Sequence, residues 1–133
     1  MLDVFAVYAT DEQKEVDGVE VSIGGGATIT VARAENPKFY KAILAESELH
    51  AETLKSLPKE EAEKLDRDIL SRVLAETILL NFKGLSYKGK ALKYSRDNAA
   101  MLLGHMDFRK MVMGHANTRA NFAARTEATD AKN

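Results

Sequence analysis

The fold of this chain is decided by residues 17–40, DGVEVSIGGGATITVARAENPKFY. Apolar residues occupy alternate positions on both sides of three consecutive glycines, which is the period of strands with one buried face. Gly24, Gly25 and Gly26 can adopt the positive φ angles of a tight reversal. The stretch therefore predicts a β-hairpin over about residues 18–32, and its apolar face needs a cover because an isolated hairpin is marginally stable in water.

Helices are predicted to supply that cover. Asn36 can cap a helix and Pro37 suits a first turn, so a helix is expected directly after the second strand. Another follows Pro58, and its apolar residues widen from one stripe to most of the circumference near its end. Ser95 and Asp107 are candidate N-caps for two shorter helices. The predicted helices cover about residues 36–57, 59–83, 95–106 and 107–124.

Four other segments have weaker patterns. The apolar run Val4 to Tyr8 indicates a further strand, and the polar residues 11–17 indicate a loop. Residues 85–94 alternate around a glycine and predict a short extended stretch or a second hairpin. Residues 125–133, RTEATDAKN, have no apolar anchor and are predicted to form a disordered tail.

Length and composition place these elements in one domain. A chain of 133 residues is long enough to bury about two thirds of its unfolded surface around a single core. Its hydrophobic fraction of 45% and charged fraction of 29% are typical of globular proteins. We therefore expect an α+β fold: a mostly helical single domain over residues 1–124, with the N-terminal β-hairpin packed on helices.

The sequence also indicates a compartment. The chain has no cysteine, which excludes disulfides and thiolate metal sites. Residues 1–12, MLDVFAVYATDE, lack a basic region, and their apolar run is too short for a signal peptide or a membrane span. We expect a cytoplasmic protein with no membrane association.

Charge is sorted along the chain although the net charge is only −1. Residues 1–76 contain 16 acidic and nine basic residues, and residues 77–133 contain four acidic and ten basic residues. The plainer interpretation is that the two halves pack side by side as solvated faces; the alternatives are head-to-tail self-association and an anionic partner. The residues predicted to form a self-association or basic surface are Lys83, Lys88, Lys90, Lys93, Arg109 and Lys110.

No pattern typical of catalysis is present in the sequence. A phosphate-binding glycine loop needs a helix directly after it, whereas a strand follows Gly26. His50, His105 and His115 lie at none of the spacings of a metal site, and no nucleophile–base pair is visible. We expect His115 in the core and His105 on the surface, and we expect no enzyme activity, no metal site and no cofactor.

Methionines are concentrated near the C-terminus. Four of the five methionines are Met101, Met106, Met111 and Met113. Counting 100° per residue places Met101 and Met113 away from the predicted apolar stripes, so these two are expected to be exposed or in an interface. Flexible thioethers suit a surface that accommodates apolar segments of varied shape. The four methionines are therefore candidate residues for binding an apolar segment of another polypeptide, which we call the client. The alternative is a mixture of core and scattered surface methionines.

The last two predicted helices allow a different function. Two short helices can form a helix-turn-helix, and arginine and asparagine are residue types that read base edges. Arg109, Asn117, Arg119 and Asn121 lie on the second of these helices. The pI of about 6.3 and the position of Arg119 near the apolar stripe argue against nucleic-acid binding. A small nucleic-acid-binding regulator remains the alternative function.

The order of several local motifs resembles the tail assembly chaperones of long-tailed, non-contractile bacteriophages. The resemblance covers most of the chain, and its motifs are apolar and helix-capping patterns without invariant chemistry. Phe82 stands where members of that family often have tryptophan. The motifs are GVEV at residues 18–21, VARAENPKF at 31–39, LAETI at 74–78, FKGL at 82–85, YSRDNA at 94–99 and LL at 102–103.

The resemblance implies a non-catalytic assembly factor that is absent from the finished virion. Such a factor binds the tape measure protein, keeps it soluble and helps tail tube subunits polymerise around it. In many such phages a ribosomal frameshift also yields a C-terminally extended form that engages the tail tube protein. Members of that family tend to be mainly helical and to form homo-oligomers.

Overall fold

The computed structural model describes residues 1–124. It contains six α-helices, five strands and one 3-10 helix, and helices account for 59% of it. The helices are α1 (Val4–Tyr8), α2 (Glu12–Asp17), α3 (Pro37–Ser56), α4 (Lys59–Thr77), α5 (Arg96–Leu103) and α6 (Met106–Ala116), followed by the 3-10 helix (Arg119–Phe122). The strands are β1 (Val19–Gly24), β2 (Ala27–Val31), β3 (Leu79–Lys83), β4 (Leu85–Tyr87) and β5 (Lys90–Leu92).

The predicted hairpin is confirmed, and it belongs to a three-stranded antiparallel sheet of order β1-β2-β3. All three glycines of its turn have positive φ angles. Strand β2 is central, with Val21 opposite Ile29 on one side and Phe82 opposite Ile29 on the other. Every second residue of β2 is buried, which agrees with the alternation in the sequence.

The helix predicted over residues 59–83 was too long. Helix α4 ends at Thr77, and residues 79–83 form β3 instead. The free edge of β2 provides backbone hydrogen-bond partners for residues 79–83. A continuous apolar run is compatible with a buried strand as well as with a buried helix. In the sequence, apolar residues occupy most positions near the end of the predicted helix. Those positions are where α4 ends and the buried strand β3 begins.

Both N-terminal predictions were wrong, because residues 4–8 form a helix and residues 12–17 form another. The carboxylate of Asp3 accepts hydrogen bonds from two backbone N–H groups at the start of α1. Asp11 does the same at the start of α2. These two local caps favour helical turns over a strand and a loop.

The later boundaries agree in part with the sequence. Asn36 caps α3, Ser95 caps α5, and β4 pairs with β5 as a second hairpin. The helix predicted over residues 107–124 begins at Met106, after His105 instead of an Asp107 cap, and ends at Ala116. The amide of Asn121 turns back to donate to the His115 carbonyl, which stabilises this early end.

A short junction segment, residues 32–36, connects the sheet to three other parts of the fold. Its backbone N–H groups donate as follows: Ala32 to the Ile78 carbonyl (2.9 Å), Arg33 to the Glu15 carbonyl (2.8 Å) and Ala34 to the Ala116 carbonyl (2.9 Å). Because these acceptors belong to α2, the end of α4 and α6, the junction segment fixes their relative positions.

Asn36 completes the junction segment and is itself buried. Its side-chain oxygen accepts from the Lys38 and Phe39 N–H groups, and its side-chain nitrogen donates to the Arg33 and Thr77 carbonyls. One side chain thus caps the start of α3 and satisfies a carbonyl at the end of α4.

The core lies between the sheet and helices α4, α5 and α6. Its fully buried side chains include Ile29, Leu79, Leu103, Val112 and Phe122, and α3 contributes no buried residue. The structure is a single compact α+β domain with the N-terminal hairpin packed on helices. The tail predicted over residues 125–133 lies outside the described residues.

Gly84 is the single residue between β3 and β4, and its φ angle is +74°. A Cβ atom at this position would lie 3.1 Å from the Gly26 carbonyl oxygen and 3.2 Å from Ala27 Cα. The two hairpins therefore meet at a position that accepts only glycine without rearrangement.

No helix within residues 1–124 is both long enough and apolar enough to cross a membrane.

We predict that Asn36→Ala lowers the free energy of unfolding by about 2–4 kcal/mol, since it removes a helix cap and leaves a buried carbonyl without its donor. Asn36→Asp retains the cap acceptor but places a buried carboxylate oxygen against the Arg33 and Thr77 carbonyl oxygens, so it should be at least as destabilising as Asn36→Ala. Urea denaturation measures both.

The matched control for this prediction is Ser95→Ala. Ser95 caps α5 with one exposed hydrogen bond, so its loss should cost about 1 kcal/mol or less. Equal effects of Asn36→Ala and Ser95→Ala would contradict the role assigned to the junction segment.

Candidate interaction surfaces

The longest region outside the core is a helical arm, residues 37–68, formed by α3 and the first half of α4. None of its residues is buried. Helix α3 packs against α4, and Phe39 at its start also packs against the core cluster. Residues of intermediate burial recur along the side of α3 that follows Phe39, including Ile43 and Leu54. The rest of the α3 surface faces away from the domain.

The helical arm carries large apolar side chains in water. Tyr40 is exposed, Leu44 is 61% exposed and Leu49 is 72% exposed. Tyr40, Leu44 and Ala51 lie within about 40° of one another on the helix circumference, beside Leu54, while Leu49 lies on the opposite side. We call the exposed Tyr40 and Leu44, together with the half-buried Ala51 and Leu54, the α3 stripe. It has the spacing by which a helix contacts another helix along its length.

The second exposed surface is the N-terminal apolar segment, residues 1–8. No residue in it is buried, and Phe5 is 79% exposed. Its attachment to the domain comes from Arg119, whose guanidinium donates to the Val7 carbonyl (2.8 Å) and lies 4.7 Å from the centre of the Tyr8 ring. A backbone bridge between Thr10 and Ala123 continues this attachment. The segment is therefore held in place while its apolar side chains remain exposed.

The four candidate methionines do not form one surface. Met101 and Met106 are 37% and 55% exposed, whereas Met111 and Met113 are half-buried against the core. Both methionines were expected to be exposed or in an interface: Met101 is exposed, whereas Met113 is half-buried and its place in an interface stays a prediction. Met106 is not the end of the helix predicted over residues 95–106, because α5 ends at Leu103 and Met106 begins α6.

Two separate depressions contain methionine side chains. Met101 lines one of about 410 Å³ together with Asp68 and Arg72. Met113 lines another, of about 320 Å³, between Phe39 and Lys110, with Leu70 and Leu74 as further apolar lining. The lining of the second depression is mostly apolar, and its charged residues are of both signs: Glu35, Arg109 and Lys110.

The six basic candidates fall into two groups. Lys83, Lys88, Lys90 and Lys93 lie on or beside the second hairpin, and Lys83 forms an ion pair with Glu20 (3.6 Å). Arg109 and Lys110 lie on α6 and border the depression that contains Met113. The structure thus separates residues that the sequence grouped by charge alone.

The arginines proposed to read bases make contacts within the chain. The Arg109 guanidinium donates to the Leu103 carbonyl (2.9 Å), and Arg119 holds the N-terminal apolar segment. The Asn121 amide donates to the end of α6. These contacts occupy side chains that a helix-turn-helix reader needs at the DNA surface.

The histidines are dispersed. His105 is exposed and its Nε2 lies 3.0 Å from the Tyr87 hydroxyl, His115 is half-buried, and His50 Nε2 lies 3.1 Å from a Glu46 carboxylate oxygen. Within residues 1–124, no three histidine, aspartate or glutamate side chains are grouped closely enough to bind a metal ion.

Sequence reasoning missed the α3 stripe and the N-terminal apolar segment. The range and cap predicted for α3 do not indicate which of its apolar residues stay exposed, and Leu49 is among the most exposed leucines of the described residues. The signal for the N-terminal segment is a run of apolar residues next to an Asp cap, a pattern that fits a short exposed helix as well as a strand.

The described geometry is that of a protein with exposed apolar surfaces on helices. The model of the YdaY prophage protein family matches residues 34–133. The chain belongs to the YdaY prophage protein family. This match covers 100 of the 133 residues and begins inside the junction segment, after the first hairpin.

Membership of the YdaY family makes the chain a phage-derived protein. The family description does not specify tail assembly, so the resemblance to tail assembly chaperones is supported at the level of phage origin. No curated protein and no solved structure matches the chain.

We predict that Arg119→Ala releases the N-terminal apolar segment without unfolding the domain. The lost carbonyl and ring contacts are exposed and contribute on the order of 1 kcal/mol, which is enough to matter for a five-residue helix. Amide hydrogen exchange should accelerate at Val7 and Ala9, whose N–H groups close α1, and stay unchanged at Ile29.

Arg67→Ala on the helical arm is the control for Arg119→Ala, because it removes the same charge from an exposed position. If both variants exchange like the unaltered protein at Val7 and Ala9, Arg119 does not hold the segment.

Proposed function

We propose that this phage-derived YdaY-family protein is a tail assembly chaperone. In this function it binds exposed apolar helices of the tape measure protein in the host cell cytoplasm and keeps that protein soluble. It promotes assembly of the tail tube around the tape measure protein and is absent from the mature virion. It performs no catalysis.

The observation that supports this proposal best is the α3 stripe. A 20-residue helix without a buried residue is unusual in a small domain, because helices gain most of their stability from packing an apolar face. Large exposed apolar side chains arranged along one helix mark a surface that another protein covers. A client helix laid along α3 would contact Tyr40, Leu44 and Ala51 in succession.

Charge supports the same function. The helical arm also carries exposed acidic and basic residues, including Glu48, Glu52, Lys55 and Lys59. When the apolar side chains of both proteins are buried in their interface, these charged residues remain in contact with water. Charged surface residues oppose aggregation of the complex.

The exposed methionines provide a second contact. Met101 and Met106 are flexible side chains that adapt to apolar partners of different shape. Met111 and Met113 contribute only where their half-buried side chains reach the surface. We propose that the client contacts Met101 and Met106 in addition to the α3 stripe.

We further propose two associations. A C-terminally extended form of the chain would engage the tail tube protein, and the chain would form homo-oligomers. The second association is supported by the opposite charges of residues 1–76 and 77–133.

The test is co-expression with the tape measure protein encoded by the same prophage. The unaltered chain should keep the client in the soluble fraction, and the double variant Tyr40→Lys, Leu44→Lys should leave it insoluble, because desolvating a lysine against an apolar helix is costly. Both positions are exposed, so the free energy of unfolding should change by less than about 0.5 kcal/mol.

The matched control is Ala45→Lys, Ser56→Lys. Both residues are exposed on α3, add the same charge and lie on the side away from the α3 stripe. This control should keep the client soluble. A client that stays insoluble with the unaltered chain would refute the proposed function.

Met101→Lys, Met106→Lys tests the methionine contact in the same assay, and we expect partial loss of soluble client. Met111 and Met113 are unsuitable for this test because a lysine there would disturb the core. If the Met101/Met106 variant keeps all of the client soluble, the two methionines are not part of the client-binding surface. That surface would then consist of the α3 stripe alone.

Self-association through the two oppositely charged halves should depend on salt. Sedimentation of the unaltered chain should show a smaller species as salt rises from about 50 mM to about 500 mM, because screening shortens the Debye length. An oligomer whose size is independent of salt would be held by apolar contacts instead.

A further inference from the structure

The second hairpin carries a concentration of positive charge that the chaperone function does not use. Residues 83–96, KGLSYKGKALKYSR, contain five basic residues and no acidic residue. Within residues 1–124, Lys83 forms an ion pair with Glu20, and Lys88, Lys90 and Lys93 form none. These three lysines are exposed. We call them the hairpin lysines.

The hairpin lysines are held on a rigid support. Leu85 and Leu92 face each other across the hairpin and pack against the core cluster. The turn has positive φ angles at Lys88 and Gly89, the geometry of a tight two-residue hairpin turn. The Asn98 amide donates to the Lys93 carbonyl (2.8 Å) and fixes the strand that leaves the hairpin. The backbone positions from which the three lysine side chains extend are therefore fixed, while the ammonium groups can adjust to a ligand.

Planar side chains lie directly beside these charges. The Tyr87 and His105 rings are 5.7 Å apart, and the Tyr87 hydroxyl lies 3.0 Å from His105 Nε2. The Lys88 ammonium group lies 5.6 Å from the Tyr87 ring centre. His105 is exposed and Tyr87 is half-buried, so a flat ligand can reach the pair from solvent.

Cations next to accessible rings match a specific ligand chemistry. Phosphate groups pair with lysine ammonium groups, and unstacked bases stack on aromatic side chains. An acidic polypeptide would satisfy the charges and leave the rings without a partner. Duplex DNA presents phosphates, but its bases are stacked on one another and unavailable to Tyr87 and His105.

We propose that the second hairpin binds single-stranded nucleic acid. The hairpin lysines contact successive phosphates, and the Tyr87–His105 pair stacks with a base. This site is separate from the α3 stripe, and it includes the connection between α5 and α6 through His105. It does not rest on the chaperone proposal.

The test uses a fluorescent oligothymidylate about 20 nucleotides long at about 50 mM salt, long enough to span a site of this kind. We expect binding by the full chain, and an affinity at least about tenfold weaker for Lys88→Glu, Lys90→Glu, Lys93→Glu. The slope of log K against log salt should become shallower by about 2, since each lost phosphate contact on a single strand contributes about 0.7.

The matched control variant is Lys55→Glu, Lys59→Glu, Lys64→Glu on the helical arm. It changes the net charge by the same amount at exposed positions and should weaken binding by less than about threefold. Equal weakening by the two triple variants would show that net charge alone attracts the oligonucleotide, and the proposal would be wrong.

Stacking is tested with an abasic oligonucleotide of the same length, which should bind more weakly than oligothymidylate. His105→Ala, an exposed change, should reduce that difference. Equal binding of the two oligonucleotides would show that no base stacks at the site, and the proposal would be wrong. Equally effective displacement by poly-glutamate would assign the hairpin to an acidic polypeptide instead. Absence of binding at about 50 mM salt would also overturn the proposal.

Discussion

The fold depends on the hydrogen bonds of the junction segment. Residues 32–36 leave the central strand β2 and donate to carbonyls in α2, at the end of α4 and at the end of α6. The buried Asn36 side chain then starts α3 and reaches the Thr77 carbonyl. An unpaired polar group in this position would cost about 1–3 kcal/mol, so these bonds select one arrangement of the helices around the sheet.

This arrangement explains why so much apolar surface remains exposed. The junction segment and β3 place α4, α5 and α6 around the core, and α3 is attached mainly through its first residues and its contact with α4. The core is already closed by Phe122, Leu103 and Leu79 without any buried residue from α3. The exposed apolar residues of α3, such as Tyr40 and Leu44, are therefore available for a partner instead of being required for folding.

The sequence was sufficient wherever a local signal agreed with the tertiary structure. Asn36 followed by proline marked α3, Ser95 marked α5, and the glycines marked the first hairpin. It was insufficient at residues 79–83, where an apolar run suits both a helix and a strand and the open edge of β2 makes the choice. It also missed α1 and α2, because the Asp caps act within one turn and hydrophobic periodicity needs longer segments.

The candidate surfaces were less predictable than the fold. A helical count finds an off-stripe methionine such as Met101, but burial of Met113 depends on where Phe39 and Leu70 lie in three dimensions. Charge counting found the lysines of the second hairpin without the neighbouring rings, since Tyr87 and His105 are separated by 18 positions in the chain. Proximity of such distant residues follows from the positions of β4 and α6.

The one-residue connection at Gly84 has a consequence for how this domain can vary. At Gly84 the start of the second hairpin lies against the turn of the first hairpin. The first hairpin therefore determines the orientation of the second. Insertions at that corner would displace both hairpins together, whereas extra residues at the exposed Pro58 bend between α3 and α4 would alter neither. Length differences among relatives should accordingly accumulate at the far tip of the arm, leaving this corner constant.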